Sequence, residues 1–465
     1  MNTIWFPDLE NATGPKYKTL VEALERAIAN GDLTVGEKLP PVREVAWQMK
    51  ITPGTVARAY SILTDRSVLE AVVGRGTFVA PPQSPVMEDV WSRSSTALTE
   101  AGAVNLFSPR LPDQGQVDLM RQALQAVSKG PTQSFLNYPT RDAYKPAREA
   151  VLQWLGDMDL GALAEDEIVL THGGQNAISL AFQARLAGAR PVILVEELTY
   201  AGFRRAAEML RVDVVGVPSD AEGIIPAELD RIAQRTGAQM FCTSPEVQNP
   251  TGHFTGLERR KELIKVCKRR DMDILEDDCY RIGAARCPSY RGLWPEGAWY
   301  ISSISKTITP ALRVGFAVAP KGQMTDLRRA AEYGFFGLAW PLAEVARRVL
   351  SDPQTVSIQQ AVSTQLRRYI EVAVNTLGGQ DLGWRSDVPF VWLRLPTGWR
   401  ASEFTRQAER AGIQIRSADE FALRDGLAPN AVRIAINGQI PLERFAQAVE
   451  TLRDILAHPP EQISV

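Results

Sequence analysis

The segment 81–103 constrains the architecture of this chain more than any other feature. It opens with prolines, continues through serine, threonine and acidic residues, and shows no sustained apolar period, which is typical of a linker. It divides the 465 residues into a front part of about 80 and a back part of about 360. The sequence therefore predicts a small domain over 1–80, a linker over 81–103 and a large domain over 104–465.

The composition is that of an ordered globular protein, with 45% hydrophobic and 23% charged residues. No apolar run approaches the roughly 18 residues that span a bilayer, and the N-terminus lacks a basic segment followed by an apolar one. We therefore expect a soluble, cytoplasmic protein without a membrane partner. Because the net charge is −2, a nucleic-acid partner must be met by a local surface rather than by a global positive field.

The cysteines and histidines show neither a disulfide framework nor the spacing of zinc ligands. We expect reduced thiols and no metal. The residues concerned are Cys242, Cys267, Cys279, Cys287, His172, His253 and His458.

The front part shows three helical patterns followed by two short β-rich runs. Apolar residues recur at helical spacing from Tyr17 to Ile28 and stop at Asn30-Gly31. LPPVREVAWQMK forms a second amphipathic pattern, and TVARAYSILTD starts a third at about Gly54. Two short helices across a tight turn predict a helix-turn-helix, and EAVVGRGTFVA predicts a hairpin that could serve as a wing. A generic helical bundle would give the same periodicity.

The whole string favours the DNA-binding interpretation. GEKLPPVREVA, TVARAYSIL and GRGTFV resemble, in this order, the winged helix-turn-helix of GntR-type bacterial regulators. Residues 38–79 carry six basic and three acidic side chains, a net charge of +3. Short polar side chains that begin a recognition helix suit base contacts, and arginines suit phosphates or, at the wing tip, a minor groove. The candidate DNA-contacting residues are Arg43, Thr52, Thr55, Arg58 and Arg75.

Each of these arginines could instead be a solvated surface charge. Pro53 and Ala57 stand where some GntR relatives carry base-reading arginines, so the resemblance does not transfer an operator sequence.

In the back part, β-rich runs alternate with helical segments, which predicts an α/β fold with a parallel sheet. THGGQNAI places two glycines between a strand ending near Leu170 and a helix beginning near Asn176, a loop suited to a phosphate or to an ordinary turn. ILEDDCY ends another strand with two carboxylates, Asp277 and Asp278. A buried Asp can keep a pyridine nitrogen protonated, whereas an exposed one belongs to a surface loop.

The string SSISKTITPALRVGF indicates the chemistry most specifically. Lys306 lies between two nearby serines and an arginine seven positions later. A lysine forms Schiff bases with aldehydes, and hydroxyls with a guanidinium suit a phosphate dianion. Taken in order, these motifs resemble the fold-type I pyridoxal-phosphate enzymes of the class I/II aminotransferase family over nearly all of residues 104–465.

This resemblance implies pyridoxal 5'-phosphate as the cofactor and a role for each matching residue. Lys306 would form the internal aldimine, and Asp277 would pair with the pyridine nitrogen. Tyr280 and Asn249 would donate to the phenolic oxygen of the cofactor.

The resemblance also implies a phosphate site and three further contacts. Tyr200 would stack on the cofactor ring, and Tyr138 would reach the phosphate of the neighbouring subunit. Arg433 would clamp an α-carboxylate, although a core salt bridge is an alternative for it. The phosphate would be held by Gly174, Gln175, Ser303, Ser305 and Arg313.

The sequence departs from the family pattern near the cofactor motifs. Ala143 and Ala147 replace a usual Gly and Leu, and ITPALR lacks a glycine that is common before the Leu-Arg pair. These changes put efficient turnover in doubt rather than cofactor binding.

A GntR-like head joined to an aminotransferase-like body resembles the MocR/GabR-type transcriptional regulators. The resemblance implies a homodimer that binds operator DNA and senses a small amine or amino acid through an external aldimine. Relatives sense γ-aminobutyrate, taurine, ectoine-derived diamino acids or the cofactor. Two alternatives are open: an active aminotransferase with a DNA-tethering head, and a sensor of pyridoxal phosphate itself.

Overall fold

The computed structural model describes residues 16–65, 68–72, 76–80, 103–423 and 426–459. The chain forms two compact units, Met1–Glu100 and Ala101–Val465.

The front unit consists of three helices and a two-stranded antiparallel hairpin in which Leu69 pairs with Val79. Backbone hydrogen bonds tie residues 37–39 to the second hairpin strand, so the hairpin is anchored to the turn before the second helix. The third helix begins at Pro53, one residue earlier than the sequence predicts. The elements are α1 (Lys16–Asn30), α2 (Val42–Gln48), α3 (Pro53–Asp65), β1 (Leu69–Val72) and β2 (Gly76–Val79).

One apolar cluster holds the front unit together. Val56, Ala59 and Leu63, spaced along one face of α3, are fully buried against Leu20 and Leu24 of α1. This burial leaves the opposite face of α3 in solvent, and Thr52 at its start is exposed. The apolar positions of the helix-turn-helix pattern therefore form the core, and the second helix of the motif, α3, presents its opposite face to solvent.

The long unit alternates strands and helices through most of its length. Its helices are α4 (Gln116–Ser128), α5 (Thr132–Leu136), α6 (Lys145–Trp154), α7 (Gly174–Arg185), α8 (Ala201–Met209), α9 (Pro226–Thr236), α10 (Leu257–Arg269), α11 (Tyr290–Leu293), α12 (Met324–Phe335), α13 (Trp340–Ser351), α14 (Gln354–Leu377), α15 (Ala401–Arg410) and α16 (Leu442–Leu456). Short 3₁₀ turns lie at Asp142–Tyr144, Glu165–Glu167, Ile304–Lys306 and Ala418–Glu420.

The described strands of the long unit form a seven-stranded sheet, a four-stranded sheet and two separate two-stranded pairs. They are β3 (Val104–Asn105), β4 (Val169–Thr171), β5 (Val192–Glu196), β6 (Asp213–Val217), β7 (Ser219–Asp220), β8 (Gly223–Ile224), β9 (Met240–Thr243), β10 (Asp273–Asp277), β11 (Ala298–Ser303), β12 (Gly315–Val318), β13 (Leu382–Gly383), β14 (Phe390–Arg394), β15 (Ile413–Gln414), β16 (Arg416–Ser417) and β17 (Ala431–Ala435).

The large sheet has seven strands in the order β4-β12-β11-β10-β9-β5-β6. Strands β11, β10, β9, β5 and β6 are parallel, whereas β12 runs antiparallel to both of its neighbours. The sheet is therefore mixed rather than wholly parallel as the sequence predicts. The carboxyl ends of β4, β5, β10 and β11 meet at one edge, where open α/β sheets bind ligands.

Helices cover both faces of this sheet. Successive residues of β5 alternate between clusters: Ile193 and Val195 pack on one side, and Leu194 packs on the other. Burial of both faces explains why these strands are continuously apolar in sequence. The smaller sheet, β13-β14-β17-β16, is antiparallel. Among the described residues, no helix combines the length and hydropathy needed to cross a membrane.

Candidate functional site

A tight glycine turn joins β4 to α7 at the sheet edge. Gly173 has φ +81°, and a Cβ there would lie 2.7 Å from Nη2 of Arg313. Only glycine adopts this backbone readily and lets the guanidinium approach so closely. Helix α7 begins at Gly174, two residues before the predicted start, so Gly174 and Gln175 lie in its first turn. The free N–H groups of this turn and Arg313 form a cradle for an anion.

Cys279 packs beneath this cradle. A Cβ on Gly174 would lie 2.4 Å from its Sγ atom, so the helix start and the cysteine fit only because residue 174 is glycine. The Cys279 thiol is hydrogen-bonded to Asp277 and Ser303, and burial raises its pKa well above the usual range. Cys279 was not selected from the sequence, because a single cysteine after a strand carries no motif.

The turn after β11 supplies the hydroxyl side of the cradle. Ser305 is 7% exposed, and its Oγ has no hydrogen-bond partner among the described residues. A buried hydroxyl without a partner costs free energy, so an acceptor that completes it is expected. Ser303 is also buried and is hydrogen-bonded to Cys279. Ser305, Arg313 and the α7 amides therefore fit a phosphate.

Lys306 ends the 3₁₀ turn that follows β11, and its Nζ lies 5.4 Å from the centre of the Tyr280 ring. Asp277 ends the neighbouring strand β10 and is buried. Burial raises the pKa of Asp277 to about 6, opposed by hydrogen bonds from Cys279. The parallel pairing of β10 with β11 thus brings an amine and a carboxylate to the same edge.

Of the two adjacent carboxylates, Asp278 is already engaged. Its Oδ2 accepts hydrogen bonds from the Tyr300 hydroxyl at 2.6 Å and from Nε of Arg281 at 2.7 Å. Asp277 is hydrogen-bonded only to groups of Cys279 within the described part of the chain. Asp277 is therefore the carboxylate that is available to a pyridine nitrogen.

Tyr200 is held beside this pocket by Gln175. Its hydroxyl donates to Oε1 of Gln175 at 3.2 Å, and Nε2 of Gln175 donates to the Gly202 carbonyl at 2.9 Å. A Cβ on Gly202 would lie 2.0 Å from Cε1 of Tyr200, so glycine is required for this ring position. Burial raises the pKa of the Tyr200 phenol, which keeps it neutral.

Arg433 lies in the middle of β17 and is 2% exposed. Its Nη1 donates to Oδ1 of Asn249 at 2.5 Å, and its Nη2 donates to the Phe107 carbonyl at 2.9 Å. Within the described residues Nε has no partner, and no acidic group within 4.0 Å forms a salt bridge with Arg433. The core salt bridge considered from the sequence is therefore not what holds this arginine.

Tyr280 connects the two ends of the pocket. Its hydroxyl accepts a hydrogen bond from Arg433, and its ring meets Phe390 edge-on. Burial alone would raise the pKa of Tyr280, but the positive charges of Lys306 and Arg433 outweigh it and lower the pKa. Since Oδ1 of Asn249 accepts from Arg433, the Asn249 amide nitrogen is the group left to donate to a ligand.

The structure thus gathers eleven of the predicted residues into one pocket. Tyr138 is the exception, because it is 81% exposed and contacts Phe336 instead. A role for Tyr138 in a neighbouring subunit stays a prediction. The gathered residues are Gly174, Gln175, Tyr200, Asn249, Asp277, Tyr280, Ser303, Ser305, Lys306, Arg313 and Arg433.

Arg416 is a pocket residue that the sequence analysis missed. It lies on β16 directly opposite Arg433 of β17 and is 8% exposed. No motif marks it, and only the register of the smaller sheet places it beside Arg433.

The predicted DNA-contacting residues differ in their surroundings. Thr52 caps α3, since its Oγ1 accepts from the Thr55 amide at 3.3 Å and lies 2.9 Å from Oγ1 of Thr55. Arg43 is exposed on α2, and Arg58 is exposed with its guanidinium over the Tyr17 ring at 4.1 Å. Arg75 lies outside the described residues.

Together, the fold and the pocket define a fold-type I aminotransferase-like unit that follows a winged helix-turn-helix. The family model of aminotransferase class I and II matches residues 103–452, and that of the gntR family of bacterial regulatory proteins matches residues 16–79. The chain therefore belongs to the class I and II aminotransferase family and carries a GntR-type head, the architecture of the MocR/GabR-type regulators. The predicted fold class and family are confirmed.

The chain is similar to named transcriptional regulators and, in fold, to an aminotransferase. The chain is 28% identical over 460 residues to YdeF of Bacillus subtilis (strain 168), named as an HTH-type transcriptional regulator, covering 97% of this chain and 96% of that protein. It is 27% identical to PdxR of Corynebacterium glutamicum, an HTH-type pyridoxine biosynthesis regulator, over 78% and 79% of the two chains. An archaeal alanine:glyoxylate aminotransferase structure has the same fold, with TM-score 0.70, 20% identity and 78% and 93% coverage.

Proposed function

We propose that this protein is a transcriptional regulator that binds operator DNA with its front unit and senses a small amine or amino acid in its pyridoxal-phosphate pocket. The observation that carries the proposal is the co-occurrence, in one chain, of a GntR-type head and a pocket with Lys306, Asp277, Arg313 and Arg433. The names of YdeF and PdxR as regulators support it.

The exposed surface of the front unit supports DNA binding. Arg43 and Thr55 lie on the two helices of the motif, with Arg43 in solvent and Thr55 in the first turn of α3. In the docking mode that is usual for helix-turn-helix proteins, the first turn of α3 enters the major groove and Arg43 contacts a phosphate. Because phosphate contacts release counterions, binding by Arg43 contributes to a steep salt dependence.

Pyridoxal 5'-phosphate, when bound, would supply an aldehyde that condenses with amines, and Lys306 would provide the amine that attaches it to the chain. Ser305, Arg313 and the α7 amides would hold its phosphate, and Asp277 would pair with its ring nitrogen. Asn249 and Tyr280 would donate to its phenolic oxygen, and Tyr200 would lie against its ring.

The effector changes the regulator only if it binds two conformations with different affinities. Arg433 supplies such a contact, since its guanidinium binds a carboxylate and is linked through Asn249 to the cofactor side of the pocket. We propose a homodimer in which Tyr138 of each subunit completes the site of the other. Two heads would then bind two half-sites.

Aminotransferase activity is the second candidate, because Lys306 and Asp277 lie at one sheet edge as transamination requires. A sensor of pyridoxal phosphate itself is the third, and the name of PdxR favours it. The three functions differ in their end-points. A regulator forms a stable complex with an amine, an enzyme releases a keto acid, and a cofactor sensor changes its DNA affinity without any amine.

A single titration separates these functions. The purified protein, loaded with cofactor, is titrated with a panel of amino acids and amines while visible absorption, keto-acid release and affinity for a DNA site selected from a random library are followed. We expect one amine to shift the absorption band persistently and to change DNA affinity, without keto acid. Repeated keto-acid formation would establish the enzyme instead.

Lys306→Ala tests the link between the pocket and the head. We expect this variant to lose the absorption band of the Schiff base between Lys306 and the cofactor, together with the response to the effector, while keeping some DNA binding. Lys321→Ala, at an exposed lysine outside the pocket, is the matched control and should behave as the unchanged protein. A normal effector response by Lys306→Ala would refute the proposed switch.

A further inference from the structure

Two buried arginines, rather than one, lie at the effector end of the pocket. Arg416 of β16 and Arg433 of β17 are paired in register across the antiparallel sheet, so their side chains lie on the same face. Arg416 is 8% exposed and Arg433 is 2% exposed. Arginine is rarely buried this deeply unless it is paired with an acid, and of these two only Arg416 has a salt-bridge partner among the described residues.

The two guanidinium groups converge on one acceptor. Nε of Arg416 donates to the Phe107 carbonyl at 3.0 Å, and Nη2 of Arg433 donates to the same oxygen at 2.9 Å. The Phe421 ring lies 5.8 Å from the Arg416 guanidinium and 4.8 Å from that of Arg433. The Phe107 carbonyl and the Phe421 ring therefore keep the guanidinium groups of Arg416 and Arg433 side by side. These two positive charges repel each other unless an anion lies between them.

The acidic groups around the pair compensate it only in part. Glu420 is the salt-bridge partner of Arg416 at 3.4 Å, and its side chain is 37% exposed. Arg433 donates to the uncharged side chain of Asn249 and to the Phe107 carbonyl. Among the described residues, the two buried guanidinium groups therefore share a single acid, Glu420, which lies partly in solvent.

We propose that Arg416 is a specificity-determining residue that binds a second acidic group, so that the effector is an amino acid with an acidic side chain. This inference rests on the proposed function, since it takes Arg433 as the partner of the α-carboxylate. Arg416 then holds the side-chain acid. Two converging guanidinium groups favour a diacid over its amide, because a carboxylate accepts charge-assisted hydrogen bonds from Arg416 whereas an amide leaves it only the partly exposed Glu420.

A purely structural role for Arg416 is the competing explanation. In that case its hydrogen bond to the Phe107 carbonyl and its contact with Glu420 position the start of the long unit, and the ligand never meets it. The two explanations differ in ligand preference, since a structural Arg416 gives no reason for a diacid to bind better than its amide.

The first experiment uses the unchanged, cofactor-loaded protein. L-glutamate and L-aspartate are compared with L-glutamine and L-asparagine by the shift of the visible band. Glutarate and succinate, which lack an amine, are compared with pentanoate by calorimetry. We expect one of the two acidic amino acids to bind at least ten-fold more tightly than its amide, and the diacid of matching length to bind more tightly than pentanoate.

The second experiment locates the preference. Arg416→Gln should remove the preference for the acid over the amide while changing amide binding by less than three-fold, and Arg416→Lys should retain part of it. Arg394→Gln, at an exposed arginine of the same small sheet, is the matched control and should change the affinity for neither ligand.

The outcomes separate the two proposals. If no amino acid or amine changes the absorption band or gives heat, the proposed function fails and this inference fails with it. If amino acids bind but the unchanged protein does not prefer an acid over its amide, only the role of Arg416 is refuted. The role of Arg416 is also refuted if Arg416→Gln lowers the affinity for the acidic amino acid and for its amide equally.

Discussion

The side-chain oxygen of Asn249 accepts a hydrogen bond from Nη1 of Arg433 at 2.5 Å, which joins the two ends of the pocket. Asn249 belongs to the loop after β9 in the large sheet, and Arg433 belongs to β17 of the small sheet. Under the proposed function, a carboxylate that draws Arg433 toward itself would also act on the Asn249 amide. The contact would then link an effector to the cofactor side of the pocket.

Arg433→Lys should weaken binding of an amino acid by about ten- to a hundred-fold, because lysine cannot make the bidentate contact with a carboxylate. The corresponding amine without a carboxylate should bind the variant as it binds the unchanged protein. Both are measured by titrating the visible absorption band. An equal loss for the amino acid and for the amine would show that Arg433 holds the fold rather than the carboxylate.

Gly173→Ala should lower the affinity for pyridoxal 5'-phosphate by at least ten-fold, because its Cβ displaces the Arg313 guanidinium, 2.7 Å away, from the phosphate cradle. Gly188→Ala is the matched control, since Gly188 also has positive φ (+97°) but nothing lies within 4 Å of its Cβ position. Each substitution puts a side chain at positive φ, which carries a backbone cost of roughly 1–3 kcal/mol. Fluorescence titration with the cofactor should show weaker binding by Gly173→Ala than by Gly188→Ala. Equal affinities of the two variants would refute a phosphate site at Gly173 and Arg313.

Asp277→Asn should stabilise the cofactor-free protein above pH 6. The folded pKa of about 6 lies above the ordinary 3.8, so the native state binds more protons in this window and stability falls as pH rises through it. The buried carboxylate costs roughly 3 kcal/mol at neutral pH. Denaturant unfolding at pH 7.5 should show a higher free energy of unfolding for Asp277→Asn than for the unchanged protein, and this difference should be smaller at pH 5.

The same variant should bind the cofactor more weakly, because asparagine provides no negative charge for the protonated ring nitrogen. A stability gain of equal size at both pH values would exclude the carboxylate as its source. Unchanged cofactor affinity would exclude Asp277 as the partner of the ring nitrogen.

Thr52→Val should loosen the start of α3, because it removes the side-chain acceptor of the Thr55 amide. Loss of such a cap costs about 1 kcal/mol, or roughly a five-fold increase in local opening. Hydrogen exchange over residues 53–65 of the full chain should show faster exchange, together with weaker DNA binding. Ser61→Ala, at an exposed position of the same helix, is the control, and an equal effect of the two would argue against the cap.

Subunits with Tyr138→Ala and subunits with Lys306→Ala should complement each other if Tyr138 serves the neighbouring site. In a mixed dimer, one site then combines an intact Lys306 with the intact Tyr138 of the other subunit. Mixing the two inactive variants should restore about half of the effector-sensitive absorption per mixed dimer. Failure of restoration, with mixed dimers verified by mass spectrometry, would place Tyr138 outside the site.

The sequence was sufficient for the local parts of the site. Asp277 ends a strand, and Lys306 and the two glycines at 173 and 174 lie within three residues after one. Strand ends are recognisable because apolar runs stop at polar or glycine residues. The helix start was misplaced by two residues because Gly174 and Gln175 have no pattern of their own to extend α7. The antiparallel direction of β12 was likewise unpredictable, since a buried strand is apolar in either direction.

By itself, the sequence determined the division into two parts, the helix-turn-helix, the α/β class and the identities of the residues suited to a pyridine aldehyde phosphate. These properties depend on local periodicity and on short motifs. Only the tertiary structure decided that Asp277 rather than Asp278 is available, that Asn249 meets Arg433, and that Arg416 lies beside Arg433. Such pairings join residues far apart in the chain, and their geometry is set by strand register and burial rather than by any local pattern.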